Sequence, residues 1–378
     1  MKKQCKKIII ASDSFKGTLS SNQICSIAKR VIPEYFPDCS IVCVPVADGG
    51  EGTVDCFIDA VGAESVEITS VGPDWEEIKS KYAVFGDTAV IEMAASAGLP
   101  LMTEGLDAEN ATTFGVGILI KDAISRGVKN ILLGLGGSAT TDAGCGMAAA
   151  LGARFQNSAG FEFIPAGGGL SEVHSIDISD CRKALSGVAV TAMCDVNNPL
   201  FGERGAAYIY SPQKGADRET VEKLDEGLRH IASVMNDCLE GAGSTADIPG
   251  AGAAGGLGAG SMWFLDGILK SGTEAILDAV GLSESLRDAD FIISGEGRVD
   301  SQSLSGKLIS GVKKRADAAG VPLVIIAGCV SDDFDASVIG ADRIFITNVD
   351  NLPFEELAGR AERDYENALR RFLDNVIQ

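Results

Sequence analysis

The sequence predicts an α/β protein in which a parallel-sheet domain is interrupted by an inserted, mixed α/β domain. Three observations carry that expectation. Apolar runs that end in small polar or glycine residues ("KKIIIASDS" near the start; "FIISGEG", "PLVIIAG" and "RIFITN" near the end) have the length of strands buried on both faces. Between them lies a long middle stretch of different patterning, where alternation and turns suit antiparallel pairing. Finally, 46 glycines in 378 residues, without a three-residue period, imply many tight turns and close approaches of backbone to ligand.

Taken in order, "KKIIIASDS" reads as a strand. The following "LSSNQICSIAKRVIPEYF" carries Ile24, Ile27, Ala28, Val31, Ile32 and Tyr35 at helical spacing. "SIVCVPVADGGEGTVDCFIDAVG" repeats the βα pattern, with Val54, Phe57, Ile58 and Val61 on one face. Two such units in succession imply parallel pairing. From Glu64, "SVEITSVGPDWEEIKSKYAVFGDTAVIEMAASAG" alternates as strands joined by turns, followed by a helix in "TTFGVGILIKDAISRG". A strand then runs into the glycine loop "LLGLGGSATTDAG", a small-residue helix "GCGMAAALGA", and strands around "FEFIP" and "GVAVTAMCDVNNP". "DRETVEKLDEGLRHIASVMNDCLE" predicts a long charged helix, whereas "PGAGAAGGLGAG" reads as too glycine-rich for regular structure. A last helix is expected from about Phe354 to Ile377. The domains drawn from this pattern are 1–63 with 290–378, and 64–289, and the cleft between them is the expected site.

At this length each domain can bury a proper core. The formal net charge of −21 argues against nucleic acid or an anionic membrane as partner. It does not exclude a small anionic substrate, which needs only a few cations, amides or a bound divalent ion. The ten cysteines show no C-x-x-C spacing and read as free thiols of a cytoplasmic protein. The apolar run at the N-terminus is too short for a signal peptide, and none reaches the length of a membrane span. With two histidines only, His174 and His230, a zinc site or a Ser-His-Asp triad is not expected, so proton transfer falls to carboxylates.

Several short clusters, most of them glycine-punctuated, could carry chemistry. Gly134 to Ala139 satisfies G-x-G-x-x-A, but no acidic residue follows at the distance a dinucleotide ribose requires. Its companions Ser138, Thr140, Thr141 and Asp142 suit phosphate oxygens and either a magnesium ion or the proton of an attacking hydroxyl, or they serve as helix caps. "SDSFKG" brings Asp13, Ser14 and Lys16, and "ADGGEG" brings Asp48 and Glu51, each at a strand's carboxyl end where ligands bind in open parallel sheets. "MCDVNNPL" brings Asp195 and Asn197, for a metal ion, a substrate hydroxyl or an Asx-turn. "SGEGRVDSQSLSGK" brings Glu296, Arg298, Asp300, Gln302 and Lys307. Its tail lacks the leading glycine of a Walker motif because position 301 is serine. The glycine tract containing Gly255 and Gly256 could wrap amides around an anion. Together these fit magnesium-dependent phosphoryl transfer better than hydride or acyl transfer.

In order and spacing, "DSFKG", "ADGGEGT", "GGSATTDAG", "CDVNNPL", "GAAGGLG" and "GEGRVDSQS-SGK" resemble the blocks of the bacterial glycerate kinases of the glycerate 2-kinase type, across essentially the whole chain. The resemblance implies a flavodoxin-like domain interrupted by a second domain. It also implies ATP as cofactor, D-glycerate as substrate and phosphorylation on the 2-hydroxyl; the 3-hydroxyl or another small hydroxy acid is the alternative, and an NAD-dependent dehydrogenase the rival class. Residue chemistry then distributes the roles. Asp195 or Asp48 takes the hydroxyl proton, and Lys16 binds the substrate carboxylate or the γ-phosphoryl oxygens. Asp13, Ser14, Asn197 and Arg298 hold substrate. Gly136, Gly137, Ser138, Thr140, Thr141, Gly255, Gly256 and Lys307 hold the nucleotide, and Asp142, Glu296 and Asp300 hold Mg2+. Monomer and homodimer both stay open.

Overall fold

In a computed structural model, the structure describes residues 5–15, 17–44, 46, 52–239, 241–300, 308–331, 334, 336–338, 343–350, 352–357 and 359–377. The strands, in chain order, are β1 (Lys7–Ser12), β2 (Ser40–Cys43), β3 (Glu64–Val71), β4 (Glu77–Phe85), β5 (Thr88–Glu92) and β6 (Asn130–Gly134). Next come the short β7 (Arg154–Gln156), β8 (Glu162–Phe163) and β9 (Ser175–Asp177), then β10 (Ala189–Met193) and β11 (Ile268–Lys270). The chain returns through β12 (Phe291–Gly295), β13 (Arg298–Val299), β14 (Leu323–Ala327), β15 (Cys329–Val330) and β16 (Ile344–Ile346).

Two compact units result: Met1–Ala47 with Asp59–Gly62 and Thr273–Gln378, and Asp48–Ile58 with Ala63–Gly272. In the first, five parallel strands run in the order β16-β14-β12-β1-β2. Counted along this unit alone that is 2-1-3-4-5, the flavodoxin-like order. Both faces are covered, which is why these strands read as unbroken apolar runs. Ile8 and Ile10 enter one core with Ile24, Ile32, Tyr365 and Phe372, while Ile9 and Ala11 enter the other with Ile309 and Val312. The helix Ser21–Tyr35 starts as the spacing predicts, with Ser20 and Gln23 forming a reciprocal capping box. The return segment joins this unit from Thr273 rather than from 290, because Leu277, Leu282 and Leu286 belong to the second of its cores. At the far end, the expected single helix is two, Phe354–Leu357 and Ala361–Ile377, parted by a turn at Gly359 and Arg360.

The second unit is built on a mixed sheet in the order β11-β10-β6-β5-β4-β3. Its first four strands are parallel neighbours, and β5-β4-β3 are antiparallel. The long charged segment forms the helix Arg218–Cys238, capped by Asp217, whose side chain accepts from the Thr220 amide at 2.9 Å. The tract "PGAGAAGGLGAG" does not stay irregular. It turns through left-handed Ala254, Gly255 and Gly256 inside the helix Ala253–Leu265, nearly all of which is buried. The ten cysteines are free thiols. Among the described residues no helix is long and apolar enough to cross a membrane.

Candidate active site

In the second unit the carboxyl ends of four parallel strands lie side by side: Glu92 opposes Gly134, Gly134 opposes Met193, and Met193 opposes Lys270. Ligands of open parallel sheets bind beyond this edge. A pocket of about 250 Å³ opens there, walled by Gly136, Gly137 and Ser138 from the turn after β6 and by Cys194, Asp195 and Val196 after β10. Tyr210, Gln213 and Ala254 close its other sides.

The glycine loop is fixed by its own backbone. Leu135 N donates to Met193 O (3.2 Å), Leu99 N to Gly137 O (2.9 Å) and Ala139 N to Ala97 O (2.8 Å). Gly137 has φ +76, a conformation that favours glycine. Among the described residues, the amides of Gly136, Gly137 and Ser138 donate to no backbone carbonyl. Three successive amides at a pocket wall make a cradle for anionic oxygens.

The downstream half of the loop differs from expectation. The helix begins only at Cys145, and the amides at its start are already taken: Cys145 N donates to Asp142 O, Met147 N to Thr113 Oγ1, and Gly144 N and Gly146 N to the Asp142 carboxylate. That side chain is 0% exposed and accepts from Thr113 N (2.8 Å), Thr113 Oγ1 (2.7 Å), Gly144 N (3.0 Å) and Gly146 N (3.2 Å). Burial pushes its carboxyl up, against the lowering pull of those donors. Asp142 therefore organises the loop instead of presenting an open face to a metal ion. It also fills the helix-end seat where a dinucleotide would set its pyrophosphate. Asp142→Ala leaves several buried donors without a partner and is expected to lower unfolding free energy by roughly 3 kcal/mol; urea denaturation measures it.

Thr140 and Thr141 are likewise 0% exposed and do not line the pocket. Thr141 Oγ1 pairs with Ser211 Oγ at 3.2 Å, and Thr140 Oγ1 is buried without a hydrogen-bond partner. Nor are Gly255 and Gly256 an open amide cradle. A Cβ on Gly255 would stand 1.9 Å from Thr140 O, and one on Gly256 would stand 2.8 Å from Leu200 Cδ1. These glycines let two backbones touch.

Asp195 is exposed on the pocket wall, and its Oδ1 accepts from Gly272 N at 3.3 Å. Asn197 is exposed and does not line the pocket, whereas Asn198 accepts from the Tyr210 hydroxyl at 2.6 Å and donates to Arg204 O at 2.8 Å.

Sequence reasoning missed Lys214. It ends a short turn, Pro212–Lys214, and is 1% exposed. Its Nζ donates to Ser138 Oγ (2.8 Å) and Thr140 O (2.6 Å) directly under the loop. Burial pulls this amine from the usual range near 10.5 to about 7, with Asp142 pulling the other way. Between those values the unfolded chain holds a proton that the folded one has released. The protein is therefore expected to gain stability as pH rises from 7 towards 10.5, and to gain less in Lys214→Met. Urea unfolding of both at pH 7 and 9 checks the sign. Glu92 was missed too; it accepts from Val54 N (2.7 Å), and burial raises its carboxyl. Its only signal was a carboxylate closing the apolar strand "TAVIE".

In the first unit, β1 and β12 are neighbours at the point where strand order reverses, with Ser12 opposite Gly295. Asp13 follows β1, its amide donating to Gly295 O (2.9 Å) and its Oδ1 accepting from Ser14 N (2.6 Å). Glu296 follows β12 half-buried, and Arg298 is exposed, with Nη2 3.4 Å from Ser331 Oγ. Asp300 is half-buried. Among the described residues no three His, Cys, Asp or Glu side chains gather as a metal-holding group. Lys16, Asp48, Glu51, Gln302 and Lys307 lie outside the described residues.

A flavodoxin-like sheet with acidic groups and an arginine in the segments after its central strands, and a second sheet carrying a pocket with a carboxylate on its wall, define an α/β protein with a candidate ligand site at its strand ends. Residues 8–377 match the family model described as the glycerate kinase family. The chain is 40% identical over 372 residues to a glycerate kinase of Bacillus cereus, covering 95% of each chain. It is 43% identical over 330 residues to the glycerate 2-kinase of Escherichia coli K12, covering 86% of each. A crystal structure of a candidate glycerate kinase 2 from Salmonella typhimurium LT2 superposes with a TM-score of 0.84 at 35% identity, covering 99% of this chain and 98% of that one. The chain belongs to the glycerate kinase family, phosphotransferases with an alcohol group as acceptor.

Proposed function

We propose that this protein transfers the γ-phosphoryl group of ATP to the 2-hydroxyl of D-glycerate. One observation supports it most: residues 136–138, whose amides donate to no backbone carbonyl among the described residues, and Asp195 follow adjacent parallel strands and wall a single pocket. Phosphoryl transfer needs both an oxygen cradle and a proton acceptor near the nucleophile.

The residues present fit a nucleotide's phosphates, since residues 136–138 wall the pocket and the Lys214 amine donates to the Ser138 hydroxyl. Bound ATP supplies the electrophilic phosphorus. The chain's own share is to orient and to move a proton. The amides of Gly136 and Gly137 and the Ser138 hydroxyl hold phosphoryl oxygens in a fixed field, which costs no reorganisation during transfer. Asp195 Oδ accepts the proton of the attacking hydroxyl. By residue type, Asp13, Ser14, Asn197 and Arg298 remain the groups for the carboxylate and hydroxyls of a hydroxy acid. Magnesium assistance accompanies this reading, but its expected ligands are not gathered among the described residues. Asp142 is enclosed by its own hydrogen bonds.

Phosphorus NMR of the protein with Mg-ATP and D-glycerate tests the proposal. A phosphomonoester signal of 2-phosphoglycerate is expected. A 3-phosphoglycerate signal would shift the acceptor oxygen, and intact ATP with glycerate but turnover with another hydroxy acid would change the substrate.

A further inference from the structure

Lys214 presents a problem of charge. Taking an ammonium out of water costs several kcal/mol unless its surroundings compensate. Here Nζ has two neutral acceptors, Ser138 Oγ and Thr140 O. The charged group that stabilises it is Asp142, whose own oxygens serve Thr113, Gly144 and Gly146. A purely structural residue here would be better apolar, because buried ionic groups are commonly replaced by hydrophobic ones of similar size without loss of stability.

What an ammonium adds is direction and field. By donating to Ser138 Oγ, Lys214 occupies an acceptor lobe of that hydroxyl and leaves the hydroxyl proton to donate elsewhere. Ser138 lines the pocket together with Gly136 and Gly137. By donating to Thr140 O it also anchors the backbone at the position where Gly255 packs. The positive charge thus sits one hydroxyl away from the cradle, in surroundings that screen it little.

We propose that Lys214 is a positioning residue for a phosphoryl group in this pocket: it holds the 136–140 loop in its anion-accepting form and turns the Ser138 hydroxyl proton towards the ligand. The assignment rests on the phosphoryl reading of the pocket given above. An anion there adds negative charge to that of Asp142, so binding and the protonated state of Lys214 favour each other.

Thermal unfolding with inorganic tripolyphosphate as probe tests this in the wild type, Lys214→Met and Ser138→Ala, alongside steady-state kinetics. The wild type is expected to be stabilised by tripolyphosphate. Lys214→Met is expected to fold with an unliganded Tm at or above that of the wild type at pH 7. It should bind tripolyphosphate at least about tenfold more weakly and raise KM for ATP by a similar factor, with KM for D-glycerate unchanged. Ser138→Ala should shift in the same direction by less. A Lys214→Met protein of lowered Tm but wild-type tripolyphosphate affinity overturns the proposal, as does a change confined to KM for D-glycerate. If Lys214→Met does not fold, wild-type affinity in Ser138→Ala overturns it. A wild type indifferent to tripolyphosphate overturns the phosphoryl reading of the pocket and takes the Lys214 assignment with it.

Discussion

Asp195→Asn is expected to lower kcat of the proposed phosphoryl transfer by roughly 10²- to 10⁴-fold, the usual contribution of a positioned general base, while KM for ATP and for D-glycerate change little. The substitution is nearly isosteric. Its amide oxygen can still accept from Gly272 N, which Asp195 Oδ1 meets at 3.3 Å, so the segment after β10 keeps its support. What is lost is the capacity to take a proton from an attacking hydroxyl. Equal falls in kcat and kcat/KM would place the loss in the transition state rather than in binding. A variant that turns over at the wild-type rate removes Asp195 from the reaction and leaves proton acceptance to Asp48.

The largest effect on stability is expected from Gly255→Ala. Its φ of +65 lies in the left-handed region, which costs a residue with a Cβ about 1–2 kcal/mol. The added methyl would then sit 1.9 Å from Thr140 O and 2.6 Å from Thr141 Cα, both backbone atoms with no rotamer to escape into. Overpacking of this kind adds about 1–3 kcal/mol, and the two together take a large share of an ordinary domain's stability. The displaced carbonyl is also the one that Lys214 Nζ grips at 2.6 Å, so the pocket loop should loosen with the fold. Gly127→Ala provides the control. That glycine has φ +85, and an added Cβ would meet no heavy atom within 4 Å, so only the conformational cost applies. Urea midpoints of the two variants should differ widely; equal losses would mean that the contact with Thr140 carries no weight.

The parallel sheet was legible because its strands are buried on both faces. Ile8, Ile9 and Ile10 leave an unbroken apolar run that no amphipathic helix would show. The β3–β4 hairpin was legible for the opposite reason, since one face of each strand is wet and the sequence alternates. The helix Ala253–Leu265 was not. Helix propensity counts glycine against it, yet Gly258 and Gly260 are there because a Cβ on either would stand within 2.2 Å of a carbonyl oxygen, of Gly250 or of Ala143. Packing overrode propensity. In the candidate site, strand ends announced Asp13, Asp195 and the glycine loop, since polar residues after apolar runs mark the ligand edge of an open sheet. Their division of labour was illegible. Asp142 and Ser138 look alike in sequence, and only burial separates a carboxylate that closes a helix end from a hydroxyl that faces a pocket. Lys214 left no local mark at all, for in "SPQKGA" a lysine reads as surface.

The strand order of the first unit also sets a timetable. Its strand β1 pairs with β2 on one side and with β12 on the other, Ile9 meeting Val42 and Ile292. On a ribosome the first two strands emerge together, but a two-stranded parallel fragment with apolar surfaces uncovered is not stable by itself. Its partner strand follows only after the whole of 63–272 has been made, on the order of tens of seconds later at ordinary elongation rates. That intervening stretch holds its own sheet and core in one nearly continuous run of chain. It can finish folding while the nascent N-terminus waits. The isoleucines of β1 are therefore expected to wait without their β12 partner throughout the delay, and the sheet that opens the sequence to close after the second unit has folded.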